Sequence, residues 1–325
     1  MSPDKKIGEF EFIQNLLAPL ATAPEAFALG DDAALYAPPI GQALVLTTDT
    51  LVEQVHFPLA SAPQLVVARL LAANLCDLTA KGAVPVGCLL TLGVGPHWDE
   101  KWLTDFVATL GAGLKETGLV LWGGDTVRAQ QGFVGLAAHG IVPPAAMLRR
   151  NGAQLNDDVL VSGTIGDGYL GLQAVLHPQA DGDDKIIRQA YESPQAPLNL
   201  AVPLRDKASA AIDISDGLLA DLDHICYVSG VAMRIEADAV PLSAAGQNFI
   251  ARAEKKNDAL VQLLTSGDDH KIAITAPAEK RKQLTALNFV RIGQVVPPEN
   301  AQYNTKLVQA DGHEVPVIER GYRHF

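Results

Sequence analysis

The chain has 325 residues, of which 48% are hydrophobic and 19% are charged, and its formal net charge is −12. This composition is typical of a globular protein, and the length favours two domains. An acidic chain without a basic patch is a poor partner for nucleic acid, and three scattered cysteines argue against a disulfide framework or a zinc site.

Targeting signals do not stand out in the sequence. Residues 1–13 carry charge throughout and lack the apolar core of a signal peptide. No uninterrupted apolar stretch reaches the length of a membrane span. We therefore expect a cytoplasmic protein with no membrane partner.

The first half of the chain predicts the order strand, helix, strand, helix, strand, strand. The second element is a helix because Pro63 suits its first turn and Gly82 suits its C-terminal cap. The predicted strands are 43–49, 86–94, 119–123 and 133–142, and the predicted helices are 63–81 and 99–117. This order indicates an α+β layer with its helices on one face.

The second half begins after Pro143 and Pro144, where the polar segment 149–158 marks a boundary. It predicts a strand at 158–162, a glycine-rich loop at 163–171, a strand at 210–214, a helix at 217–229 and strands at 231–236 and 271–275. We expect the α+β class with two α/β-layered domains. The N-terminal domain, 1–146, would be a ferredoxin-like layer, and the C-terminal domain, 147–325, would be a mixed sheet with helices.

Short apolar elements repeatedly deliver an aspartate beside Gly, Ser or Thr. The strings are Gly30-Asp31-Asp32, Thr47-Thr48-Asp49, Asn74-Leu-Cys-Asp77, Gly123-Gly124-Asp125 and Asp213-Ile-Ser215-Asp216-Gly217. Mg²⁺ prefers hard oxygen ligands and shares them with phosphates, and bound cations would make several neighbouring carboxylates tolerable. The pattern favours a magnesium and phosphate site, although each string alone also suits a turn or a helix cap.

Two of these strings have more specific alternatives. Asn74, Asp77 and Lys81 form one polar stripe on the predicted helix, which either presents a metal ligand or places a Lys81–Asp77 ion pair on a solvated face. Asp213 ends a strand, and Ser215 or Asp216 can cap the helix that follows. At such a turn, free backbone N–H groups can face a bound anion.

Familiar nucleotide-binding motifs give no simpler explanation. The P-loop and the protein-kinase motifs are missing from the sequence. Gly166-Asp-Gly168-Tyr-Leu-Gly171 matches G-x-G-x-x-G, but residues 180–185 form a polar turn where a dinucleotide fold needs a second strand. We favour a glycine-rich turn beside a helix start and keep a dinucleotide site as the alternative.

Six strings, in order along nearly the whole chain, resemble the thiamine-monophosphate kinase family of the aminoimidazole ribonucleotide synthetase-like superfamily. They are Gly30-Asp-Asp-Ala-Ala, Thr47-Thr-Asp-Thr-Leu-Val-Glu-Gln-Val-His-Phe57, Asn74-Leu-Cys-Asp-Leu-Thr-Ala-Lys-Gly-Ala83, Gly123-Gly-Asp-Thr-Val-Arg128, Ala211-Ile-Asp-Ile-Ser-Asp-Gly-Leu218 and Gly321-Tyr-Arg-His-Phe325. The resemblance implies ATP-dependent phosphorylation of thiamine monophosphate to thiamine diphosphate. It also implies several Mg²⁺ ions, ATP as co-substrate and a homodimer formed through the N-terminal domains.

The resemblance also assigns roles by matching position. The N-terminal domain would bind metal and ATP and form the dimer, and the C-terminal domain would complete the ATP and acceptor site. The implied metal ligands are Asp32, Thr47, Thr48, Asp49, Asp77, Asp125, Asp213 and Asp216. The implied ATP contacts are Gly124, Asp125, Arg150 and Ser215, and the implied acceptor contacts are His56 and Asp268. From the residues alone, His56 is also compatible with an ordinary histidine at a strand end.

This sequence departs from the family at two places. Ser266-Gly-Asp268-Asp-His270-Lys stands where the family commonly has Gly-Gly-Glu-Asp-Tyr-Glu, and Glu319 stands where it often has an aromatic residue against the acceptor ring. His270 or Tyr322 is a candidate to replace that aromatic residue. Both departures concern the acceptor site and not the positions assigned to ATP and metal.

The alternatives are another ATP-dependent synthetase of the superfamily and a protein of a different class. Selenophosphate synthetase needs a reactive Cys near the N-terminus, whereas the first here is Cys76; the hydrogenase maturation protein needs a C-terminal Cys, whereas this chain ends in His-Phe. A non-catalytic acidic protein that only binds metal is the alternative from another class.

A kinase that phosphorylates thiamine monophosphate needs no general base. The second pKa of a phosphate monoester is about 6, so the acceptor oxygen is already largely ionised at neutral pH.

Overall fold

The structure is a computed structural model that describes residues 8–177 and 184–324. It divides into two compact units, one made of the described residues up to Leu78 with Ala83–Pro144, the other of Thr79–Gly82 with the described residues from Ala145 onward. The domain boundary expected between residues 146 and 147 stays a prediction. Residues 1–7 of the N-terminal segment, most of the polar turn at 180–185 and the final residue lie outside the described residues.

The first unit is a four-stranded sheet with helices. Its elements are α1 (Glu9–Phe12), β1 (Ala43–Val52), α2 (Pro63–Ala80), β2 (Val84–Val94), α3 (Glu100–Thr117), β3 (Leu121–Arg128) and β4 (Phe133–Val142). The strands lie in the order β1-β4-β2-β3, with β2 and β3 parallel and the other pairs antiparallel. The predicted sequence of elements from 43 to 142 is confirmed.

Local sequence explains how the helices of this unit begin, end and pack. The side chain of Asp99 caps α3 by accepting a hydrogen bond from the N–H of Trp102 at 2.7 Å, and Gly118 ends the helix in the left-handed conformation with φ 77°. α3 packs against α2 at Gly113, where a Cβ would come 2.4 Å from a methyl group of Leu71.

The faces of the sheet follow the alternation of side chains along β1. Val45 and Leu51 are buried, whereas Leu44 and Leu46 are exposed, so the odd-numbered residues face the core. α2 lies on the core face, because the position of Gly140 leaves only 3.2 Å between a Cβ and Leu78. The even-numbered residues of β1 from 44 to 50 face away from this core and are exposed.

The second unit is a six-stranded mixed sheet with helices. Its elements are β5 (Asp158–Ser162), α4 (Asp167–Leu176), α5 (Asp184–Glu192), α6 (Ala201–Leu204), β6 (Ala210–Ile214), α7 (Leu218–Ser229), β7 (Ala232–Glu236), α8 (Ala244–Arg252), α9 (Lys256–Thr265), β8 (Lys271–Ala276), α10 (Arg281–Thr285), β9 (Phe289–Val296) and β10 (Thr305–Val308). The strands lie in the order β10-β7-β9-β5-β8-β6, and β10 runs parallel to β7. The expected α+β class with a mixed C-terminal sheet is confirmed.

Two sequence predictions for this unit need correction. The glycine-rich loop predicted at 163–171 is shorter, because α4 already begins at Asp167. The dinucleotide alternative is wrong, because β5 is antiparallel to both neighbours, β8 and β9, and does not form a parallel strand–helix–strand unit. In the part of the chain that the structure describes, no helix is long and apolar enough to cross a membrane.

Candidate active site

Two predicted metal ligands meet inside the first unit. The hydroxyl of Thr47 on β1 donates a hydrogen bond to the carboxylate of Asp77 on α2. Both residues are partly buried. Because a carboxylate and a hydroxyl are the hard oxygen donors that Mg²⁺ prefers, the contact supplies one suitable pair of ligands.

The neighbours of Thr47 on β1 divide between the two faces of the sheet. Asp49 is two residues on and shares the face of Thr47, whereas Thr48 lies on the opposite, exposed face. The side chain of Thr48 is therefore directed away from the contact between Thr47 and Asp77.

Gly124 lies on β3, at the other edge of the sheet from β1. The strand register aligns Gly124 with Leu90, Leu136 and finally Asp49. Three strand spacings, about 14 Å, separate the two edge positions. A Cβ on Gly124 would lie 1.9 Å from the carbonyl oxygen of Leu90, so packing within the sheet by itself requires glycine here.

Asp125 follows on β3 and is exposed. It belongs to a cross-strand row that ends at Thr50 on β1, on the face opposite to Asp49. The first unit therefore does not bring the Asp125 side chain to the contact between Thr47 and Asp77.

Asp32 is exposed in the segment before β1, and its N–H donates to the side chain of Asp31 at 2.8 Å. Across residues 8–177 and 184–324, no three His, Cys, Asp or Glu side chains are close enough together to hold a metal ion. Magnesium sites in proteins usually share their ligands with water and substrate phosphates.

His56 has a defined tautomer. Its Nδ1 accepts a hydrogen bond from the N–H of Val52 at 3.0 Å. A neutral imidazole that accepts at Nδ1 carries its proton at Nε2. His56 therefore presents an Nε2–H donor, which suits contact with a phosphate oxygen.

The loop that carries His56 is held by the buried side chain of Glu53. Its Oε1 accepts from the indole N–H of Trp98 at 3.3 Å and from the N–H of Ala60 at 3.4 Å. A second tryptophan, Trp102, donates its indole N–H to the carbonyl of Ser61 at 3.0 Å. Trp98, just before α3, thus holds one end of residues 53–61, and Trp102, in the first turn of α3, holds the other.

The strand-to-helix turn at 213–217 lies in the second unit. Asp213 is buried at the end of β6, Ser215 is exposed and Asp216 is half-buried. The expectation that free backbone N–H groups face a bound anion here needs correction. The N–H groups of Ser215 and Asp216 both donate to Oδ2 of Asp221, at 3.0 and 3.1 Å.

The carboxyl group of Asp221 therefore takes the place of a bound anion at the start of α7. Burial first, and then the charge of Asp216, raise its pKa to about 7. Because Asp221 occupies the backbone donors, Ser215 is left to act through its hydroxyl and Asp216 through its carboxylate.

The loop 266–270 pairs with this turn through the backbone. The N–H of Asp268 donates to the carbonyl of Ser215 at 2.8 Å, and the N–H of His270 donates to the carbonyl of Ile214 at 2.9 Å. Gly267 permits the approach, since a Cβ there would lie 2.2 Å from the Ser215 oxygen. The predicted acceptor contact Asp268 and the predicted ATP contact Ser215 are thereby neighbours.

A second buried carboxyl group holds this loop from the other side. The carboxylate of Asp269 is buried and accepts from the N–H of Gly166 at 2.9 and 3.0 Å and from the N–H of Gly168 at 3.1 Å. Burial raises the pKa of Asp269 to about 7. The glycine-rich motif at the start of α4 thus binds a side chain of its own chain.

The C-terminal segment also reaches the turn at 213–217. The N–H of Tyr322 donates to the carbonyl of Asp216 at 2.9 Å, and Gly321 fits because a Cβ there would be 2.8 Å from the same oxygen. The ring of Tyr322 packs edge-on against His324, with centroids 5.0 Å apart. Tyr322, one of the two suggested replacements for the missing aromatic residue, is therefore beside the site.

The remaining predicted positions have mixed outcomes. Arg150 is exposed, and its charge lowers the pKa of Asp221, which burial and Asp216 otherwise raise. Lys81 donates to the carbonyl of Ala211 at 3.0 Å. Asn74 is fully buried, so the stripe that it begins is not a solvated face.

Sequence reasoning did not identify Glu53, Asp221 or Asp269. Asp221 had a local signal, since an acidic residue near the start of a helix suits the free N–H groups there. Asp269 adjoins a residue that the family resemblance does assign. Its partners Gly166 and Gly168, however, are 103 and 101 residues away, and no local pattern links them.

Both halves of the chain match models of known protein families. Residues 30–142 match the model of the AIR synthase related protein N-terminal domain, and residues 155–304 match its C-terminal domain. The thiamine-monophosphate kinase of Salmonella typhimurium is 36% identical over 306 residues, covering 91% of each chain. That of Caulobacter vibrioides is 38% identical over 270 residues, covering 81% of this chain and 75% of the relative.

Solved structures give the same result. The thiamine-monophosphate kinase of Stenotrophomonas maltophilia superposes with a TM-score of 0.81 at 34% identity, covering 93% of this chain and 97% of its own. A structure of AaThiL complexed with AMPPCP and TMP has a TM-score of 0.79 at 26% identity and covers all of both chains. The chain therefore belongs to the thiamine-monophosphate kinase family of AIR synthase related proteins.

Proposed function

We propose that this chain transfers the γ-phosphoryl group of ATP to thiamine monophosphate and forms thiamine diphosphate and ADP. The observation that carries this assignment is the 36% identity to a thiamine-monophosphate kinase over 91% of both chains. A further support is the AaThiL structure with AMPPCP and TMP, which this chain matches over its full length.

The residues divide the work between the two substrates. Gly124, Asp125, Arg150 and Ser215 are assigned to ATP, and His56 and Asp268 to the acceptor. The Nε2–H of His56 is the donor for the acceptor's phosphate, and the Asp268 carboxylate suits the cationic part of thiamine. The backbone pairing of Asp268 with Ser215 supports adjacent sites for the two substrates.

Magnesium is assigned to a ligand set made only of oxygen donors. The set is Asp32, Thr47, Thr48, Asp49, Asp77, Asp125, Asp213 and Asp216. This chemistry fits Mg²⁺, and the contact of Thr47 with Asp77 supports it. Bound Mg²⁺ supplies charge neutralisation between two polyanionic substrates, and no general base is assigned because the acceptor oxygen is already ionised.

A homodimer through the N-terminal domain is also part of the proposal. The sheet face opposite α2 exposes apolar side chains from two edge strands and a central one. These side chains are Leu44, Leu46, Leu89 and Val127. A second copy of the chain would cover this face, on which Asp125 also lies. The cytoplasmic location and the domain roles expected from the sequence remain predictions.

Selenophosphate synthetase and the hydrogenase maturation protein, two alternatives within the superfamily, rely on cysteine chemistry that this chain does not favour. All three cysteines, Cys76, Cys88 and Cys226, are buried. Burial raises the pKa of Cys88 and the pKa of Cys226 to about 12, which leaves little reactive thiolate.

The test is product analysis by mass spectrometry. The protein is incubated with ATP, Mg²⁺ and one acceptor at a time, with thiamine monophosphate, thiamine and hydroxymethylpyrimidine phosphate as the panel. Thiamine diphosphate and ADP in equal amounts, only with thiamine monophosphate, are expected. Phosphorylation of another acceptor would reassign the substrate, and metal binding without nucleotide binding would favour the non-catalytic alternative.

A further inference from the structure

The loop 266–270 has an unusual backbone. Asp268 and His270 both adopt left-handed conformations, with φ of 71° and 50°. Residues other than glycine adopt this region at a cost, and it persists where the surrounding structure enforces it. Asp269 is the residue between them.

Asp269 has the contacts needed to enforce it. Asp269 is 4% exposed, and its carboxylate accepts two N–H groups at the start of α4, from Gly166 and Gly168. The loop comes so close to this turn that a Cβ on Gly168 would lie 2.4 Å from the carbonyl oxygen of Asp268. A shift of the anchor would therefore move Asp268 directly.

We propose that Asp269 is a positioning residue for the acceptor site: its buried carboxylate ties the loop 266–270 to the start of α4 and thereby fixes the direction of the Asp268 side chain. The inference rests on the proposed function, in which Asp268 contacts the acceptor. It assigns to Asp269 no contact with either substrate.

Two substitutions separate positioning from charge. Asp269→Asn keeps an oxygen where Oδ1 accepts from both glycines, whereas Asp269→Ala removes the acceptor and leaves two buried N–H groups unpaired. Asp158→Asn is the matched control, because Asp158 is a buried carboxylate of the same unit that is held by Arg281 and Arg291 away from these loops.

Steady-state kinetics give the first readout. In Asp269→Ala the KM for thiamine monophosphate should rise by about tenfold or more while the KM for ATP changes by less than about twofold, and Asp269→Asn should restore most of the loss. Asp158→Asn should leave both KM values near those of the wild type. Equal increases in both KM values, or no increase in a folded Asp269→Ala, would overturn the inference.

Hydrogen exchange gives a readout that does not depend on catalysis. Amides in peptides covering 163–170 and 264–272 should exchange faster in Asp269→Ala and at the wild-type rate in Asp269→Asn. If Asp269→Ala does not fold, Gly168→Ala, which pushes on the Asp268 carbonyl, should give the same selective change in KM, and its absence would overturn the inference. A wild-type protein that makes no thiamine diphosphate would instead overturn the proposed function.

Discussion

Thr47 donates a hydrogen bond to Asp77, and this contact joins a strand to a helix through two side chains that were singled out as metal ligands. A hydroxyl and a carboxylate in contact can either bind a metal ion together or form a purely structural hydrogen bond. Substitutions that keep the hydrogen bond but change the charge can distinguish the two roles.

Asp77→Asn should impair catalysis without unfolding the protein. The amide oxygen can still accept from Thr47, but a neutral side chain is a poor ligand for Mg²⁺. We expect kcat/KM to fall by about a hundredfold at limiting magnesium and to recover partly as magnesium is raised. Initial rates over a magnesium titration measure this.

Asp105→Asn is the control for this substitution, since Asp105 is an acidic residue at a solvated position paired with Lys101. It should leave the magnesium dependence unchanged. Wild-type rates for Asp77→Asn at limiting magnesium would remove Asp77 from the ligand set.

Glu53 should be required for the loop that carries His56. Glu53→Ala would leave the indole N–H of Trp98 and the N–H of Ala60 without their acceptor, which costs about 2 kcal/mol or more in the free energy of unfolding. The KM for thiamine monophosphate should rise because His56 loses its support.

Glu53→Gln keeps the acceptor oxygen and should retain most of the stability and the KM. Tryptophan fluorescence follows the same contact, so its emission should shift in the alanine variant and much less in the glutamine variant. An alanine variant with wild-type emission and KM would show that the buried carboxylate does not hold the loop.

The pH dependence of stability should carry opposite contributions from two buried carboxylates. Burial alone would raise the pKa of Asp158, but hydrogen bonds from Arg281 and Arg291 outweigh it and hold that pKa below its usual value. Asp158 therefore stabilises the fold above about pH 4 and loses this contribution as the pH falls. The pKa of Asp269 is raised to about 7, so its contribution is complete below about pH 4 and is lost as the pH rises through 7.

Urea unfolding at several pH values measures both contributions. The loss of stability in Asp158→Asn should be largest near neutral pH and shrink in acid. Between pH 4 and 7 the free energy of unfolding of the wild type should fall relative to that of Asp269→Asn, by up to about 1.4 kcal/mol for each pH unit. Parallel pH profiles for the wild type and both variants would contradict the two assignments.

The sequence predicted those elements whose signals are local. The apolar run 210–214 followed by a helical leucine stripe gave β6 and α7 almost to the residue, because every residue of β6 is buried. β10 was not predicted, because four residues carry little pattern and its parallel pairing with β7 spans about 70 residues of chain.

The same distinction holds in the site. Aspartates next to Gly, Ser or Thr could be found from the sequence, but the face on which each side chain lies depends on the register between strands. Asp49 and Asp125 have similar local surroundings, yet the register places them on opposite faces. They also lie at opposite edges, because β4 and β2 come between β1 and β3.

The exposed apolar face of the N-terminal sheet should be where two copies meet. Leu46 is 65% exposed on this face, and Leu46→Asp would place a charge where an apolar contact is expected. Sedimentation velocity at micromolar concentration should show a dimer for the wild type and a monomer for this variant. Ile186→Asp is the matched control, because Ile186 is 84% exposed in the second unit and its substitution should leave the dimer intact. A wild-type monomer would contradict the proposed homodimer, and a dimer that survives Leu46→Asp would place the contact elsewhere.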